Sequence, residues 1–240
     1  FFYKSQNILA FSSSLRLLSR VFDLKMINKE YLKEIIFIGH PLNNHTTFKK
    51  IEEFPINQIS FFDPNSFEIS KKPIFNEEIF NNNNSNNSEF EPEKLEKLIK
   101  KSLNRELGHS DRGSGLFLSG GVDSSLLVSI SAKNRLLKPL KNHLYSINVE
   151  GEATDESSRI KQFKNFIDKK YNLVFKSIDF NQNSIEEILL DYKDLDYPVM
   201  DLSIFPMMKL CKGVEKKIKV VLSGDGADEL MGGYLYFHKA

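Results

Sequence analysis

Apolar residues in the second part of the chain follow helical and strand-like patterns in turn. After Pro92, the residues Leu95, Leu98, Ile99 and Leu103 recur at the spacing of one helix face. Short apolar runs then predict strands at 115–118, 144–149, 173–178 and 219–222, and the segments around them predict helices at 123–137, 155–169, 184–192 and 203–217. Because strands alternate with helices, we predict an α/β fold, a parallel sheet with helices on both faces.

The first part of the chain has a different pattern. An apolar run from Ile8 to Phe11 predicts a strand, and three serines at 12–14 precede LRLLSRVF, which predicts a capped helix. Asn28 is a candidate cap for a second helix, KEYLKEIIFI, which ends at Gly39. The segments 47–51 and 54–56 are typical of a passage between domains.

A polar run, NNNNSNNS at 81–88, divides the two parts. It offers nothing to bury and little reason to fold. We therefore predict a first region at 1–73, an Asn-rich linker at 74–92 and an α/β domain at 93–240.

The composition limits the possible partners. The 240 residues are 40% hydrophobic and 27% charged, and 33 Lys and Arg against 32 Asp and Glu give a net charge of +1. This balance gives no general reason to expect nucleic acid or an anionic membrane as partner, and no apolar run reaches the roughly twenty residues that span a bilayer. The single cysteine, Cys211, cannot form an internal disulfide, which favours a cytoplasmic setting. We expect it to be a small core residue.

The first candidate for chemistry is the loop SGGVDSS, Ser119–Ser125, at the carboxyl end of a predicted strand. Gly120 and Gly121 have no Cβ where the backbone must approach an anion, and Ser119 and Ser124 supply hydroxyl groups. The helix that follows directs its free N–H groups and its positive dipole end to the same point. The loop therefore predicts a phosphate site.

Asp123 conflicts with a phosphate site unless a cation lies between the two negative groups. A Mg²⁺ ion that bridges Asp123 to phosphate oxygens resolves this conflict. The alternative is an ordinary Ser-Gly-Gly turn whose Asp stabilises the start of a helix.

A second loop, SGDGADELMGGY at Ser223–Tyr234, follows the predicted strand KVVL and repeats this arrangement of hydroxyl, glycines and carboxylates. In one parallel sheet both loops open at the same edge, where ligands bind, and Asp123 and Asp228 could share a metal ion. Two such loops at one edge predict a nucleotide site.

Neither loop has the lysine of a Walker-type loop, which acts where a terminal phosphoryl group leaves. A Ser-Gly-Gly loop that holds the β and γ phosphates as one unit leaves the α-phosphorus open to attack. Pyrophosphate is then the leaving group, and the expected product is an adenylate.

At these residues the sequence resembles the asparagine synthetase family. SGGVDSS resembles the pyrophosphate loop of N-type ATP pyrophosphatases, and SGDGADELMGGY more narrowly resembles the second ATP loop of glutamine-dependent asparagine synthetases. LDYPVMDLSIFPMM at 195–208 resembles the segment that lines the amino-acid substrate. LAFSSSLRLL and TTFKKIEEFPINQI resemble the end of the family's glutaminase domain and the passage to its synthetase domain.

The resemblance implies a fold and a set of roles. The fold is adenine nucleotide alpha-hydrolase-like and Rossmann-like at 93–240, preceded at 1–73 by the C-terminal remnant of an Ntn-type glutaminase domain. The residues that would hold pyrophosphate are Ser119, Gly120, Gly121, Asp123 and Ser124. Those at the adenosine and α-phosphate positions are Leu118, Val149, Ser223 and Gly224.

The resemblance also implies the metal, catalytic and substrate positions. Asp123 and Asp228 would hold Mg²⁺. Asp225 occupies the acidic position linked to forming the aspartyl adenylate, where the family often has Glu, and together with Asp123 it is assigned to catalysis. Asp201 and Ser203 would bind the substrate.

The implied reaction has two steps. The side-chain carboxylate of aspartate attacks ATP to give β-aspartyl-AMP and pyrophosphate, and ammonia derived from glutamine then displaces AMP to give asparagine. The implied partners are ATP, aspartate and ammonia, and a homodimer is compatible with the resemblance. Two alternatives stay open: a related amidotransferase that acts on another carboxylate, and a non-catalytic ATP-binding relative.

Both ends of the sequence are expected to continue into a longer polypeptide. The chain begins at Phe1, without an initiator Met, and stops at Ala240 shortly after a glycine pair. The family's N-terminal cysteine nucleophile has no counterpart here, and the family supplies a further helical region and a basic residue after the second loop. We therefore expect these residues alone to be inactive.

Overall fold

The structure is a computed structural model that describes residues 1–74, 91–108, 113–137, 142–149, 157–171, 173–192, 195–196 and 198–235. It contains two units. Unit 1 comprises Phe1–Ser88 and Asp191–Ile204, and unit 2 comprises Glu89–Leu190 and Phe205–Ala240. The sequence pattern did not foresee that the segment 191–204 belongs with the first part of the chain.

Unit 1 contains a small antiparallel sheet and two helices. Strands β1 (Phe2–Lys4), β2 (Leu9–Phe11) and β3 (Ile51–Glu52) form the sheet in the order β2-β1-β3. Helices α1 (Leu15–Val21) and α2 (Lys29–Ile38) follow β2. The strand and both helices predicted in this region are confirmed.

The predicted caps explain where these helices begin and end. The Ser14 hydroxyl oxygen accepts a hydrogen bond from the Leu17 N–H, and the Asn28 side chain accepts from the N–H groups of the first turn of α2. Gly39 has a φ of 87°, a left-handed conformation that ends α2 and favours glycine. Unit 1 has an apolar core, and Leu15, Leu18 and Ile51 form its buried centre.

A two-stranded hairpin, β4 (Gln58–Phe62) and β5 (Ile69–Pro73), has no counterpart among the predicted elements. Its turn is held by Asp63, whose carboxylate accepts hydrogen bonds from the Asn65 N–H and the Ser66 hydroxyl. The two strands read QISFF and ISKKP, so neither shows the strict alternation of apolar and polar residues that predicts a strand.

Unit 2 contains a parallel sheet of four strands. These are β6 (Ser114–Phe117), β7 (Asn142–Val149), β8 (Val174–Phe180) and β9 (Val220–Leu222), in the order β8-β7-β6-β9. The predicted strands and the parallel sheet are confirmed.

The helices of this unit are α3 (Pro92–Gly108), α4 (Val122–Lys133), α5 (Ser157–Tyr171), α6 (Gln182–Tyr192), α7 (Ile204–Gly213) and α8 (Ala227–Met231). The last residues of α6 and the first residue of α7 belong to unit 1.

Two helices of unit 2, α4 and α7, end earlier than predicted. α4 stops before Asn134 because Arg135 adopts a left-handed φ of 53°. α7 stops at Gly213, and a turn in which the Ile218 N–H donates to the Glu215 carbonyl replaces the predicted last turn. The predicted start of α5 at 155 lies outside the described residues.

Two apolar cores lie on opposite faces of the sheet, because successive strand residues point to opposite faces. Leu116, Leu118 and Leu144 face α3, α4 and α5, while Tyr145 faces α7 and packs with Leu210 and Ile218. Helices on both faces are thereby confirmed. Cys211 on α7 is exposed, so its predicted place in the core is wrong.

Gly115 is the position in β6 where a side chain cannot be accommodated. A Cβ built there would lie 3.0 Å from the His143 carbonyl oxygen and 3.0 Å from the Tyr145 ring. Both neighbours belong to the buried strand β7, so neither can move aside cheaply.

We expect Gly115→Ala to destabilise unit 2 by about 1–3 kcal/mol, because the added methyl group overpacks the junction of β6 with β7. The measurement is the midpoint of urea unfolding. Gly108→Ala is the matched control, since a Cβ at Gly108 has nothing within 4 Å. Equal midpoints for the two variants would contradict this account of the packing.

Candidate functional site

The two candidate loops leave neighbouring strands at the same edge of the parallel sheet. Strand β9 pairs with β6, with Leu222 opposite Leu116, so both strands run in the same direction and end side by side. The first loop, Ser119–Ser125, follows β6, and the second loop, Ser223–Tyr234, follows β9. The prediction that both loops open at one edge is confirmed.

Hydrogen bonds from its backbone N–H groups to its own serine hydroxyls hold the first loop. The Ser124 Oγ accepts from the Ser119 N–H at 3.2 Å, and the Ser119 Oγ accepts from the Gly121 N–H at 3.3 Å. The two Oγ atoms are 3.1 Å apart. Gly120 has a φ of 86°, which a residue with a side chain rarely adopts. The turn is therefore preformed.

The helix α4 begins directly behind this turn. Its N-cap is Gly121, which has no side chain to cover the N–H groups of the first turn. Asp123 lies in that first turn and is half-buried. Leu118 is 1% exposed and belongs to the core, so only its main chain faces the sheet edge.

Gly224 brings the second loop against the first. A Cβ built on Gly224 would lie 3.1 Å from the Asp123 Cβ and 3.1 Å from the Ser124 nitrogen. The backbone of the second loop thus touches the start of α4, which requires the smallest residue at this position. The sequence assigned Gly224 to the nucleotide and did not show this packing role.

The second loop is held by its own side chains. The Ser223 hydroxyl donates to the Asp225 carboxylate at 2.8 Å, and Gly226, with a φ of 90°, begins the short helix α8. The Asp228 carboxylate lies beside Gly233, where an added Cβ would overlap it. The Tyr234 hydroxyl donates to Glu229 at 2.7 Å and lowers the pKa of that carboxyl.

The asparagine synthase family model matches residues 94–240, which is more than half of the chain and includes both loops. The chain belongs to the asparagine synthase family. It is 29% identical to a putative glutamine-hydrolyzing asparagine synthetase 2 of Methanocaldococcus jannaschii, over 98% of this chain and 44% of that protein. It is 30% identical to the glutamine-hydrolyzing asparagine synthetase 1 of Arabidopsis thaliana, over 75% of this chain and 32% of that protein.

The chain thus spans less than half the length of the curated relatives it matches. Among solved structures, an NH3-dependent NAD synthetase of Campylobacter jejuni is 20% identical over 60% of this chain and 61% of that chain, with a TM-score of 0.41. This likeness is too low to define a shared fold.

The segment 195–208, which the resemblance predicts to line the substrate, begins in unit 1, and its first residues contact α1. The Asp196 carboxylate accepts hydrogen bonds from the Ser14 hydroxyl at 3.2 Å and from the Arg16 N–H at 3.1 Å. The Arg16 guanidinium donates to the Leu195 carbonyl at 2.7 Å. Sequence analysis missed Asp196 as an anchor, because its partners lie near the start of the chain.

Asp201 and Ser203 lie in the middle of this segment, just before α7 begins at Ile204. The Ser203 N–H donates to the Asp201 carboxylate at 2.9 Å. This bond, and then the Ser203 hydroxyl, hold the pKa of the Asp201 carboxyl below its ordinary value. Asp201 also lines a cavity of about 300 Å³ in unit 1, together with Leu15, Tyr31 and Met200. It is therefore a charged group beside a space of small-molecule size.

The two carboxylates that the resemblance predicts to hold a metal ion lie in the two loops. Asp123 and Asp228 each lie in the first turn of a helix and are half-buried. Within the described ranges, no group of three or more His, Cys, Asp and Glu side chains could hold a metal ion. Two carboxylates fit Mg²⁺, which keeps several waters and takes its other ligands from phosphate oxygens.

Val149 is the last residue of β7, where it pairs with Phe180 of β8. It is half-buried and lies at the carboxyl edge of the sheet.

None of the helices in the described part of the chain combines the length and the apolar character needed to cross a membrane.

We expect the carboxyl group of Asp201 to titrate below its ordinary pKa of 3.8. In Ser203→Ala the N–H donor stays and the hydroxyl is lost, so the pKa should rise part of the way toward 3.8. The measurement is an NMR titration of the side-chain carboxyl carbon, with Ser66→Ala as a control on a distant loop. An unchanged pKa in Ser203→Ala would exclude the hydroxyl as a cause.

Proposed function

We propose that this chain carries the ATP site of an ATP-dependent, AMP-forming amidotransferase of the asparagine synthetase type, with aspartate as the acceptor. The observation that carries the proposal is the contact of Gly224 with Asp123 and Ser124. It joins two loops rich in glycine, hydroxyl and carboxylate groups at the carboxyl edge of a parallel sheet, which is where such sheets bind ligands. Membership of the asparagine synthase family supports the same assignment.

The first loop would hold the β and γ phosphates. Its N–H groups at the start of α4 have no capping side chain, and the dipole of this twelve-residue helix favours an anion at that end. The Ser119 hydroxyl would add a donor. Ser124 is 5% exposed and its hydroxyl donates to the Gly121 carbonyl, so it would contribute by holding the turn. Gly120 and Gly121 leave room for the phosphate oxygens beside the backbone.

Asp123 and Asp228 would hold Mg²⁺, which when bound neutralises charge on the leaving pyrophosphate. Among the described residues of the two loops there is no lysine to do so. The site therefore differs from one built for transfer of a terminal phosphoryl group, and it leaves the α-phosphorus for the attacking carboxylate.

Ser223 and Asp225 would act on the α-phosphate side. Their mutual hydrogen bond holds the Asp225 carboxylate close to Gly224, so the acid is oriented before a substrate arrives. The main chain of Leu118 and the end of β7 at Val149 would contact the adenosine. Since the Leu118 side chain is buried, replacing it tests packing and not recognition.

Asp201 and Ser203 would bind the acceptor. Asp201 is an exposed carboxylate and is negative at neutral pH, and its bond from the Ser203 N–H orients it, so it suits an ammonium group such as that of an amino acid. Glutamine as the source of ammonia is proposed for the whole protein from the relatives, whose names describe them as glutamine-hydrolyzing.

The test of this function is ATP–pyrophosphate exchange by the protein that contains these residues. We expect exchange that requires aspartate. Exchange that requires a different acid would support a related amidotransferase with another acceptor. Nucleotide binding without exchange under any acid would support a non-catalytic relative, and absence of nucleotide binding would reject the proposed site.

We expect Asp123→Asn to lower Mg²⁺-dependent exchange by about a hundredfold or more, because it removes charge from the proposed metal ligand. The measurement is the exchange rate as a function of Mg²⁺ concentration. Asp179→Asn is the matched control: Asp179 is an exposed carboxylate near the end of β8 that accepts a hydrogen bond from Asn148. Equal rates in both variants would exclude Asp123 as a ligand.

We expect Gly224→Ala to weaken ATP binding by about tenfold to a hundredfold, because the added methyl group separates the loops by a fraction of an ångström or more. The measurement is the Kd for ATP by calorimetry, with circular dichroism to show an intact fold. Gly108→Ala serves as the control, and unchanged affinity in Gly224→Ala would show that the contact between loops is not needed.

A further inference from the structure

A cluster of polar side chains lies at the amino-terminal edge of the parallel sheet of unit 2, at the opposite ends of the strands from the two loops. It consists of His143 and Tyr145 on β7, Lys176 on β8, and Glu215 and Lys217 in the connector 214–219 between α7 and β9. The His143 side chain is 6% exposed and Tyr145 is fully buried. The proposed function uses none of these groups.

The cluster fastens the connector to two strands. The Tyr145 hydroxyl oxygen accepts a hydrogen bond from the Glu215 N–H at 3.4 Å and lies 3.3 Å from the His143 Nδ1. The Glu215 carboxylate forms ion pairs with Lys176 and, at 3.0 Å, with Lys217. The connector leads directly into β9, so these bonds set where β9 begins.

A neutral imidazole with an unprotonated Nδ1 can accept the Tyr145 hydroxyl proton, while the hydroxyl oxygen accepts from the Glu215 N–H. A protonated imidazole has hydrogens on both ring nitrogens, so its Nδ1 can only donate to that same oxygen. The buried hydroxyl proton then loses the Nδ1 as its acceptor, and a buried donor without an acceptor is costly. Protonation of His143 therefore weakens the arrangement around the hydroxyl that holds the connector.

The surrounding charges also oppose a proton on His143. Burial is the largest cause that lowers the pKa of His143 below its ordinary value, and the positive charges of Lys217 and Lys176 lower it further. The Glu215 carboxylate lies 3.6 Å from the Nδ1 and would attract a protonated ring, but it is already paired with both lysines. Among the described residues, the other titratable group that faces the ring is Tyr145, which has a pKa raised mainly by burial and stays neutral.

We propose that His143 is an acid-sensitive positioning residue, whose neutral ring and hydrogen bond to Tyr145 hold the connector 214–219 and whose protonation releases it. The folded protein binds this proton more weakly than the unfolded chain does. Stability linked to His143 is therefore complete above pH 6.5, the ordinary pKa of the ring, and is lost as the pH falls below it. Release of the connector would loosen β9 and the second loop.

The test is hydrogen exchange measured by mass spectrometry on residues 214–222, corrected for intrinsic rates, at about pH 7.5 and about pH 5.5. In the wild type we expect protection to fall by about tenfold at the lower pH. In His143→Gln it should change by less than about twofold. His40→Gln, which removes an exposed ring of unit 1, is the control and should behave as the wild type does.

Tyr145→Phe keeps the ring but removes the hydroxyl, so protection of the connector should be low at both pH values. This variant preserves a readout even if His143→Gln does not fold. Wild-type protection that does not change with pH, or the same loss in His143→Gln as in the wild type, would overturn the proposal.

Only the link from β9 to nucleotide binding rests on the proposed function. If that function holds, affinity for ATP should fall with acid in the wild type more steeply than in His143→Gln. If no nucleotide binds at either pH, the proposed function fails, while the hydrogen exchange result still decides the role of His143.

Discussion

The parallel pairing of β6 with β9 is the constraint on which the candidate site depends. The chain makes β6, β7 and β8 as successive neighbours and then returns to place β9 on the other side of β6. The order of strands therefore turns back between β6 and β9, and this is where the loops of such a sheet separate and leave a crevice. The contact of Gly224 with the start of α4 joins the two loops at this point.

Tyr145 connects this pairing to the rest of unit 2. Its ring packs over Gly115 of β6 and belongs to the core beneath α7, while its hydroxyl reaches the connector that enters β9. One buried side chain thus contacts both β6, which carries the first loop, and the connector that leads into β9, which carries the second loop. Because protein interiors are densely packed, a change at either contact is transmitted to the other.

The parallel sheet could be predicted from the sequence because buried parallel strands are short apolar runs that are easily recognised between helices. Leu116 and Leu222 lie in such runs, and the loops after them were recognisable by residue type. The hairpin β4–β5 was not predicted because QISFF and ISKKP do not strictly alternate apolar and polar residues. The roles of Asp225 and Asp228 stay predictions: the Ser223 hydroxyl orients Asp225, and the Asp228 carboxylate lies beside Gly233.

Contacts between residues that are far apart in the sequence cannot be predicted from a local pattern. Asp196 satisfies N–H and hydroxyl donors at the start of α1, 180 residues earlier at Arg16, and the Tyr192 hydroxyl binds both backbone groups of Val199. These bonds fix the segment that ends at Asp201 within unit 1, although the chain on either side of it belongs to unit 2. If Asp201 selects the acceptor, the choice of acceptor depends on α1, and substitutions at Ser14 or Arg16 would alter specificity without touching either loop.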